Sequence, residues 1–234
     1  MSKISKRFVS CVLAAAMMTS LAPSTAFATD GNTASVSTTT ENGEQSANTV
    51  TSEDTLKTAI TNAGSNETTI QLGETITLNA TLTIPASAKI TLDLNGHTLS
   101  ISSDIDVIDN SGTLTVKNGT IAAKDKGSTT AGMAVDNLAG ATLTVDQDAD
   151  KTTILIGRSG IQNAGSVTVN NGTIESYNRN AYYGSVGSTL IVNDGTFTSP
   201  SGNSGMGRAV SSSGNVTIYG GTFYAGGTSG AGDS

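Results

Sequence analysis

Apolar and polar residues alternate in short runs through most of the chain, and Gly, Asn or Pro separates one run from the next. The clearest unit, residues 111–121, is an alternating strand, an Asn-Gly turn and a second strand. Alternation with a period of two predicts β-strands, and Asn-Gly predicts a tight turn. The unit recurs at 164–174, 187–197 and 213–223, and weaker copies span 88–99 and 139–154.

The units repeat at a nearly constant spacing. The second apolar residue of each strand recurs after 29, 24, 23 and 26 residues, at Val116, Val145, Val169, Val192 and Ile218. Repeats of this length that contain only short strands and turns predict a solenoid, in which each unit buries its apolar face against the next. Three strands and three bends in one repeat predict an all-β parallel β-helix over residues 65–226.

Asparagine recurs at the end of one strand in each of three repeats. Asn110, Asn137 and Asn163 are 27 and 26 residues apart, so we expect them to stack at one bend as a structural ladder of hydrogen-bonded amides. Gly184 and Ser212 occupy the matching positions in the last two repeats, so we expect the ladder to end at Asn163.

One helix is predicted, over residues 51–64. Thr51 and Asp54 match a capping box as N-cap and N3 residue, apolar residues follow at helical spacing, and Gly64 is a natural stop. The end of a β-solenoid exposes unpaired backbone groups. We therefore interpret this segment as a short N-terminal capping helix.

The segments before and after the repeats differ from them in composition. Residues 1–28 combine a basic start, an apolar run and Ala26-Phe-Ala28, the pattern of a cleaved secretory signal peptide. Residues 29–50 form a Thr/Ser-rich segment that we interpret as a disordered spacer. Residues 227–234 form a flexible Gly/Ser tail, which we expect a further C-terminal module or a partner to follow. The predicted location is secreted or at a bacterial cell surface.

The net charge of the chain argues against some classes of binding partner. The net charge is −7, and without Lys3, Lys6 and Arg7 of the leader it is −10. An acidic chain suits neither nucleic acid, whose phosphates need Lys and Arg, nor anionic membrane surfaces. The apolar run of the leader is too short to span a bilayer, so membrane insertion is not expected. Cys11, the one cysteine, lies in the leader, so disulfides and thiol chemistry are not expected in the mature protein.

The stretch Ile90-Thr-Leu-Asp-Leu-Asn-Gly-His-Thr-Leu99, followed by Gly-Thr-Leu-Thr-Val-x-Asn-Gly-Thr-Ile units, resembles the pectate-lyase-like right-handed β-helix superfamily. It is most similar to secreted or surface-anchored bacterial proteins of the adhesin-like or carbohydrate-binding kind. The resemblance covers residues 50–225. It implies a right-handed coil and leaves the activity open, because this superfamily includes lyases, hydrolases, binding proteins and adhesins.

Candidate catalytic residues are sparse. Arg158, Arg179 and Arg208 fall in bends of successive repeats, without a family motif around them, and a lyase of this fold would need such a base beside a calcium-binding carboxylate cluster. The single histidine, His97, follows an Asn-Gly turn, where a polar residue at a bend is the simpler interpretation. We therefore predict no catalytic residue.

Two groups of acidic residues bear on metal binding, and no cofactor other than calcium is predicted. Asp146, Asp148 and Asp150 have the spacing that opens a calcium-binding loop, although Lys151 and Gly157 replace the glycine and glutamate that such a loop requires. They are the candidate calcium ligands. The second group is Asp104, Asp106 and Asp109, which we interpret as part of a solvated outer strand face.

Three of the five tyrosines lie within one heptapeptide. Aromatic faces and planar hydrogen-bonding groups suit a sugar ring, so Tyr177, Arg179, Tyr182 and Tyr183 are the candidate binding residues. The competing interpretation is that Tyr182 and Tyr183 fill a strand face. We expect a protein of adhesion or carbohydrate binding without catalysis, whose partner is a polysaccharide or a host or cell-surface glycan. A polysaccharide lyase or glycoside hydrolase of this fold, and a passive stalk, are the alternatives.

Overall fold

The structure is a computed structural model that describes residues 48–124, 130–200 and 207–226. The predicted leader, most of the predicted spacer and the predicted tail lie outside the described residues. Residues 48–50, the last three of the predicted spacer, form a strand. Within the described ranges, no helix has the length and apolar character that a membrane crossing requires.

The strands belong to three parallel sheets. The eight-stranded sheet contains β1 Asn48–Val50, β2 Glu67–Leu72, β5 Lys89–Asp93, β8 Thr113–Lys117, β11 Thr142–Asp146, β14 Ser166–Val169, β17 Thr189–Val192 and β20 Asn215–Ile218. The seven-stranded sheet contains β3 Ile76–Leu78, β6 Thr98–Ile101, β9 Gly119–Ala122, β12 Thr153–Gly157, β15 Thr173–Ser176, β18 Thr196–Ser199 and β21 Thr222–Ala225. The six-stranded sheet contains β4 Leu82–Ile84, β7 Ile108–Asn110, β10 Val135–Asn137, β13 Ile161–Asn163, β16 Tyr182–Gly184 and β19 Val210–Ser212.

The chain visits the three sheets in the same order in every turn, so each strand pairs with its counterpart one turn later. About seven turns form a parallel β-solenoid, which confirms the predicted all-β coil. The apolar column read from the sequence is also confirmed, because Val116, Val145, Val169, Val192 and Ile218 are in register. The sheets enclose a continuous core of Leu, Ile, Val and Ala side chains.

The helix α1, Glu53–Ala63, forms where a helix was predicted, with Gly64 after it at a φ of 56°. Its capping box lies one residue later than the predicted Thr51 and Asp54, so those two assignments were wrong. The amide of Thr55 donates to Ser52 Oγ over 3.2 Å, and the amide of Ser52 donates to Thr55 Oγ1 over 3.0 Å. The side-chain hydroxyl of each residue thus accepts a hydrogen bond from the backbone amide of the other at the start of the helix.

Three apolar side chains of α1, those of Leu56, Ile60 and Ala63, are buried in the solenoid core. The helix contacts β1, β2, β3 and β5, which belong to the first two turns and the strand that precedes them. Glu53 Oε2 accepts hydrogen bonds from the backbone and side-chain amides of Asn79, at 3.0 and 2.8 Å. The helix therefore covers apolar residues at the first turn of the coil.

The predicted asparagine ladder is present and fully buried. Asn110 Nδ2 donates to Asn137 Oδ1 over 2.7 Å, and Asn137 Nδ2 donates to Asn163 Oδ1 over 2.8 Å. The same amide groups also donate to the backbone carbonyls of the first residues of β11, β14 and β17, and none of the three asparagines has exposed surface. A buried amide without partners is costly, so the ladder stabilises this bend only as a stack.

The ladder continues one step beyond the predicted end. Gly184 is in register with Asn163 as expected, but Asn163 Nδ2 donates to the hydroxyl of Tyr182 over 2.7 Å. A Cβ on Gly184 would lie only 3.0 Å from Cε1 of Tyr182 and 2.4 Å from Ser212 Oγ. The glycine therefore leaves room for the tyrosine ring, whose hydroxyl replaces the missing amide.

Replacement of Asn137 by Ala is expected to destabilise the coil by about 1–3 kcal/mol, because buried amide groups of its two neighbours each lose a partner. Urea unfolding followed by circular dichroism measures the loss. The matched control is Asn193→Ala, which removes an Asn–Asn hydrogen bond of 2.8 Å on the exposed surface and should cost less than about 0.5 kcal/mol. Equal losses in the two variants would contradict the role given to burial.

Candidate functional site

One polar column runs along the outside of the six-stranded sheet. The middle residue of each three-residue strand points away from the core, because side chains alternate across a strand. Register aligns these residues in one column, here called the outer column, which consists of Thr83, Asp109, Asp136, Gln162, Tyr183 and Ser211. Neighbouring members are separated by one strand spacing, about 4.8 Å.

Three carboxylates converge around the second and third members of this column. Carboxylate oxygens of Asp106, Asp109 and Asp136 lie within 4.8 Å of one another, and all three residues are half-buried. Asp109 and Asp136 are in the column, whereas Asp106 precedes β7 and accepts a 2.6 Å hydrogen bond from the amide of Met133. We call these residues the carboxylate triad.

Two members of the triad have a raised pKa. Burial raises the pKa of Asp136, and the charges of Asp106 and Asp109 raise it further, against a hydrogen bond from Gln162 that lowers it. Burial also raises the pKa of Asp109, with a contribution from Asp106. Like charges and partial loss of water both disfavour ionisation. The triad therefore favours a proton, a cation or hydroxyl donors among its oxygens.

No site was assigned to these residues from the sequence, and Asp136 was not considered. Asp106 and Asp109 were expected with Asp104 on a solvated strand face, but Asp106 and Asp109 are half-buried and Asp104 lies apart from the triad, with its carboxylate 3.5 Å from Lys124 Nζ. The overlooked signal was the dipeptide Asp-Asn, which occurs at 109–110 and again at 136–137. Since the asparagines stack, the aspartates before them must also stack.

The predicted tyrosine cluster is divided between core and surface. Tyr183 is in the outer column and is 42% exposed, whereas Tyr182 is fully buried and offers no face to an external ligand. Tyr177 is half-buried, and its hydroxyl donates to the carbonyl of Ala123 over 3.1 Å. Arg179 is exposed, and its carbonyl accepts hydrogen bonds from Ser176 and Ser199. Tyr183 and Arg179 are thus the accessible members of the predicted set.

The three arginines follow the triad along the same edge of the coil. Arg158, Arg179 and Arg208 lie in three successive bends that lead into the six-stranded sheet. Arg158 Nε is buried and has no hydrogen-bond partner among the described residues. Among the ion pairs of the described ranges, none joins an arginine to the triad.

The predicted calcium loop has other partners in the structure. Asp148 lies 3.3 Å from Lys117 Nζ and accepts a 2.7 Å hydrogen bond from Asn118 Nδ2. Hydrogen bonds from Asn118 and Lys117 hold the pKa of Asp148 below its usual range. Asp146 accepts from Asn170 over 3.1 Å, and Asp150 is exposed. Within the described residues, the triad is the group of three carboxylates close enough to share one ion.

The remaining candidate, His97, lies in the turn between β5 and β6, where its amide donates to the carbonyl of Leu94 over 2.7 Å. This turn precedes the seven-stranded sheet, whereas the triad lies on the strands and entry bends of the six-stranded sheet. Comparison of the chain with protein families, with curated proteins and with solved structures gave no match.

The chemistry of the site follows from its donor set. Three carboxylates supply the oxygen ligands that Ca²⁺ and Mg²⁺ prefer, and the same oxygens accept hydrogen bonds from hydroxyl groups. Gln162 adds an amide and Tyr183 an aromatic ring to the same exposed column. The donor set of the outer column therefore suits a cation at the triad and hydroxyl groups along the rest of the column.

Replacement of Asp136 by Asn is expected to stabilise the protein at pH 7 in the presence of EDTA. A carboxyl whose pKa is raised by folding binds more protons in the folded state, so its contribution to stability is largest at low pH and is lost as the pH rises through the folded pKa. The gain should disappear below the ordinary aspartate pKa of about 3.9. Thermal unfolding across this pH range measures the effect, with Asp150→Asn as the exposed control. A variant less stable than wild type at pH 7 in EDTA would overturn this account of the triad.

Proposed function

We propose that the chain is an extracellular, non-catalytic protein that binds a polysaccharide along the outer column of the six-stranded sheet. The observation that carries this proposal is the alignment of Asp109, Asp136, Gln162 and Tyr183 on one outer face. Carboxylates and an amide suit sugar hydroxyls, and an aromatic ring suits the apolar face of a pyranose.

The regular spacing favours a linear ligand. Each turn of the coil presents one side chain of the column, about 4.8 Å from the next, so successive sugars of one chain would meet successive turns. Strands and bends on every side of the core hold these positions, so little conformational entropy is lost on binding. A rigid array of this kind supports recognition of an extended polymer better than recognition of a small molecule.

Charge favours a neutral polysaccharide. The chain has a net charge of −7, and three of its carboxylates form the triad beside the column. A polyuronate would meet like charge there unless a divalent cation lay between, and unpaired like charges across an interface cost affinity. The predicted leader at 1–28 would place the protein outside the cell, where such polymers occur. We also propose that the coil is right-handed and that the chain belongs to the pectate-lyase-like superfamily.

Replacement of Tyr183 by Ala should weaken binding about tenfold, equivalent to about 1.4 kcal/mol, because the variant loses the one aromatic ring of the column. Affinity electrophoresis in native gels cast with xyloglucan, galactomannan or polygalacturonate measures retardation, with and without Ca²⁺. The matched control is Tyr219→Ala, since Tyr219 is 76% exposed but follows β20 of the eight-stranded sheet. Unchanged retardation of the Tyr183 variant, or an equal loss in the control, would contradict the proposal.

A second candidate is a polysaccharide lyase or hydrolase of this fold. The observation that favours it is that the triad, with two raised pKa values, and three arginines share one edge of the coil. Titratable groups with perturbed pKa values are common at catalytic sites, and paired carboxylates are the usual machinery of glycoside hydrolysis.

Cleavage assays on the same polysaccharides separate the two candidates. The binding protein is expected to produce neither new reducing ends nor unsaturated ends over 24 h, with or without Ca²⁺. Ends that accumulate with wild type, and that are lost with Asp136→Asn while retardation in the gel remains, would replace the proposed function by the enzyme. A protein with neither retardation nor cleavage would be the passive stalk.

A further inference from the structure

Asn-Gly pairs recur at the bends that lead from the eight-stranded to the seven-stranded sheet. Of the four such pairs in the chain, three lie within the described residues, at Asn95-Gly96, Asn118-Gly119 and Asn171-Gly172. In an Asn-Gly pair the backbone nitrogen of the glycine reaches the asparagine side chain easily, because the glycine has no Cβ to stand in the way. The three pairs share this chemistry, but the fold gives each of them a different geometry.

At Asn171 the side chain and the following backbone nitrogen lie next to each other. The amide of Gly172 donates to Asn171 Oδ1 over 2.8 Å. A carbonyl bond is about 1.2 Å long, so this nitrogen lies at most about 4 Å from Cγ of Asn171, close to the roughly 3–3.5 Å that separates well-oriented reacting atoms. Gly172 has a φ of 123°, and a Cβ there would lie 3.1 Å from the carbonyl oxygen of Thr153. The bend therefore requires glycine at this position.

The other two described pairs are held in arrangements that oppose this approach. Asn118 is 2% exposed, and its side-chain amide donates to the carboxylates of Asp93 over 3.1 Å and of Asp148 over 2.7 Å. Its Oδ1 accepts a hydrogen bond of 2.9 Å from the amide of Asp148. At Asn95, the amide of Gly96 donates to the carbonyl of Asn118 over 2.6 Å. Contact between nitrogen and side chain in either pair would first require the loss of these hydrogen bonds.

We propose that Asn171 is a site of spontaneous covalent modification, at which the chain converts this asparagine to aspartate and isoaspartate. Hydroxide removes the proton of the Gly172 amide, and the nitrogen attacks Cγ of Asn171. A bond from nitrogen to Cγ forms, the bond from Cγ to Nδ2 breaks, and ammonia leaves with a proton from water. Water then opens the resulting succinimide. Hydrolysis of the new bond to Cγ gives aspartate, and hydrolysis of the original peptide bond gives isoaspartate, whose main chain passes through the side chain.

The two products differ in their effect on the coil. One turn later, Asp194 occupies the position of Asn171, and the amide of Gly195 donates to Asp194 Oδ1 over 2.7 Å. An aspartate is therefore compatible with this bend. Isoaspartate instead adds one atom to the main chain between β14 and β15, next to the carbonyl of Gly172, which accepts a 2.8 Å hydrogen bond from the amide of Thr196. Aspartate adds a negative charge to an intact bend, whereas isoaspartate disturbs the register of the two turns.

Peptide mapping of the full wild-type chain by mass spectrometry tests the proposal. The chain is incubated in mildly alkaline buffer prepared with isotopically labelled water, both folded and in urea, so that label in a peptide marks a succinimide opened during the incubation. In the folded chain, Asn171 should react about tenfold faster than Asn95 or Asn118, because the orientation of reacting groups governs such rates. Its rate should rise with the hydroxide concentration. In urea the three pairs lose their different hydrogen bonds and should react at similar rates.

The comparison of folded and unfolded chain decides the outcome. Equal rates at the three pairs in the folded chain, or no reaction at Asn171, would overturn the proposal. A preference for Asn171 that persists in urea would also overturn it, because local sequence and not the fold would then be the cause. Asn171→Gln should abolish label at position 171 and leave the rates at Asn95 and Asn118 unchanged, since the longer side chain cannot form the five-membered ring.

Discussion

In-register stacking of parallel strands is the constraint on which the rest of the structure depends. Each residue lies about one strand spacing from its counterpart in the next turn. Its side chain therefore contacts the side chain at the same position of the neighbouring turn. The buried amides of Asn110, Asn137 and Asn163 show the consequence most clearly, because each is satisfied by the amide of the neighbouring turn. A shift of one residue in any turn would reverse its faces and would leave buried amide groups without partners.

The same constraint builds the candidate site. Because the asparagines stack inside the six-stranded sheet, the residues before them must stack outside it, and two of those residues are aspartates. Stacking brings the carboxylates of Asp109 and Asp136 close together, and burial together with the nearby charges disfavours their ionisation. One turn further along, the column changes to Gln162 and then to Tyr183. A repeat that serves stability thus also places chemically different groups at a fixed spacing on one exposed face.

The sequence predicted what the repeat itself encodes, namely the three-strand coil, the valine column and the asparagine ladder. It placed the capping box one residue early, because adjacent hydroxyl residues at 51 and 52 both suit an N-cap and only packing decides between them. It could not separate Tyr182 from Tyr183, since the inward face of a three-residue strand depends on its partners. It missed Asp136 because that residue joins Asp109 only through the register of two turns, across a connection of more than twenty residues.

The most direct test of the account is to map where a polysaccharide contacts the chain. The measurement is a titration of isotopically labelled protein, followed by NMR, with oligosaccharides prepared from the polysaccharide that most retards it. The account predicts shifts at Asp109, Asp136 and Tyr183 and at the side-chain amide of Gln162, with little change elsewhere. Shifts confined to the outward threonines of the eight-stranded sheet, such as Thr115, Thr144 and Thr168, would show that the ligand uses a different face and would contradict the account.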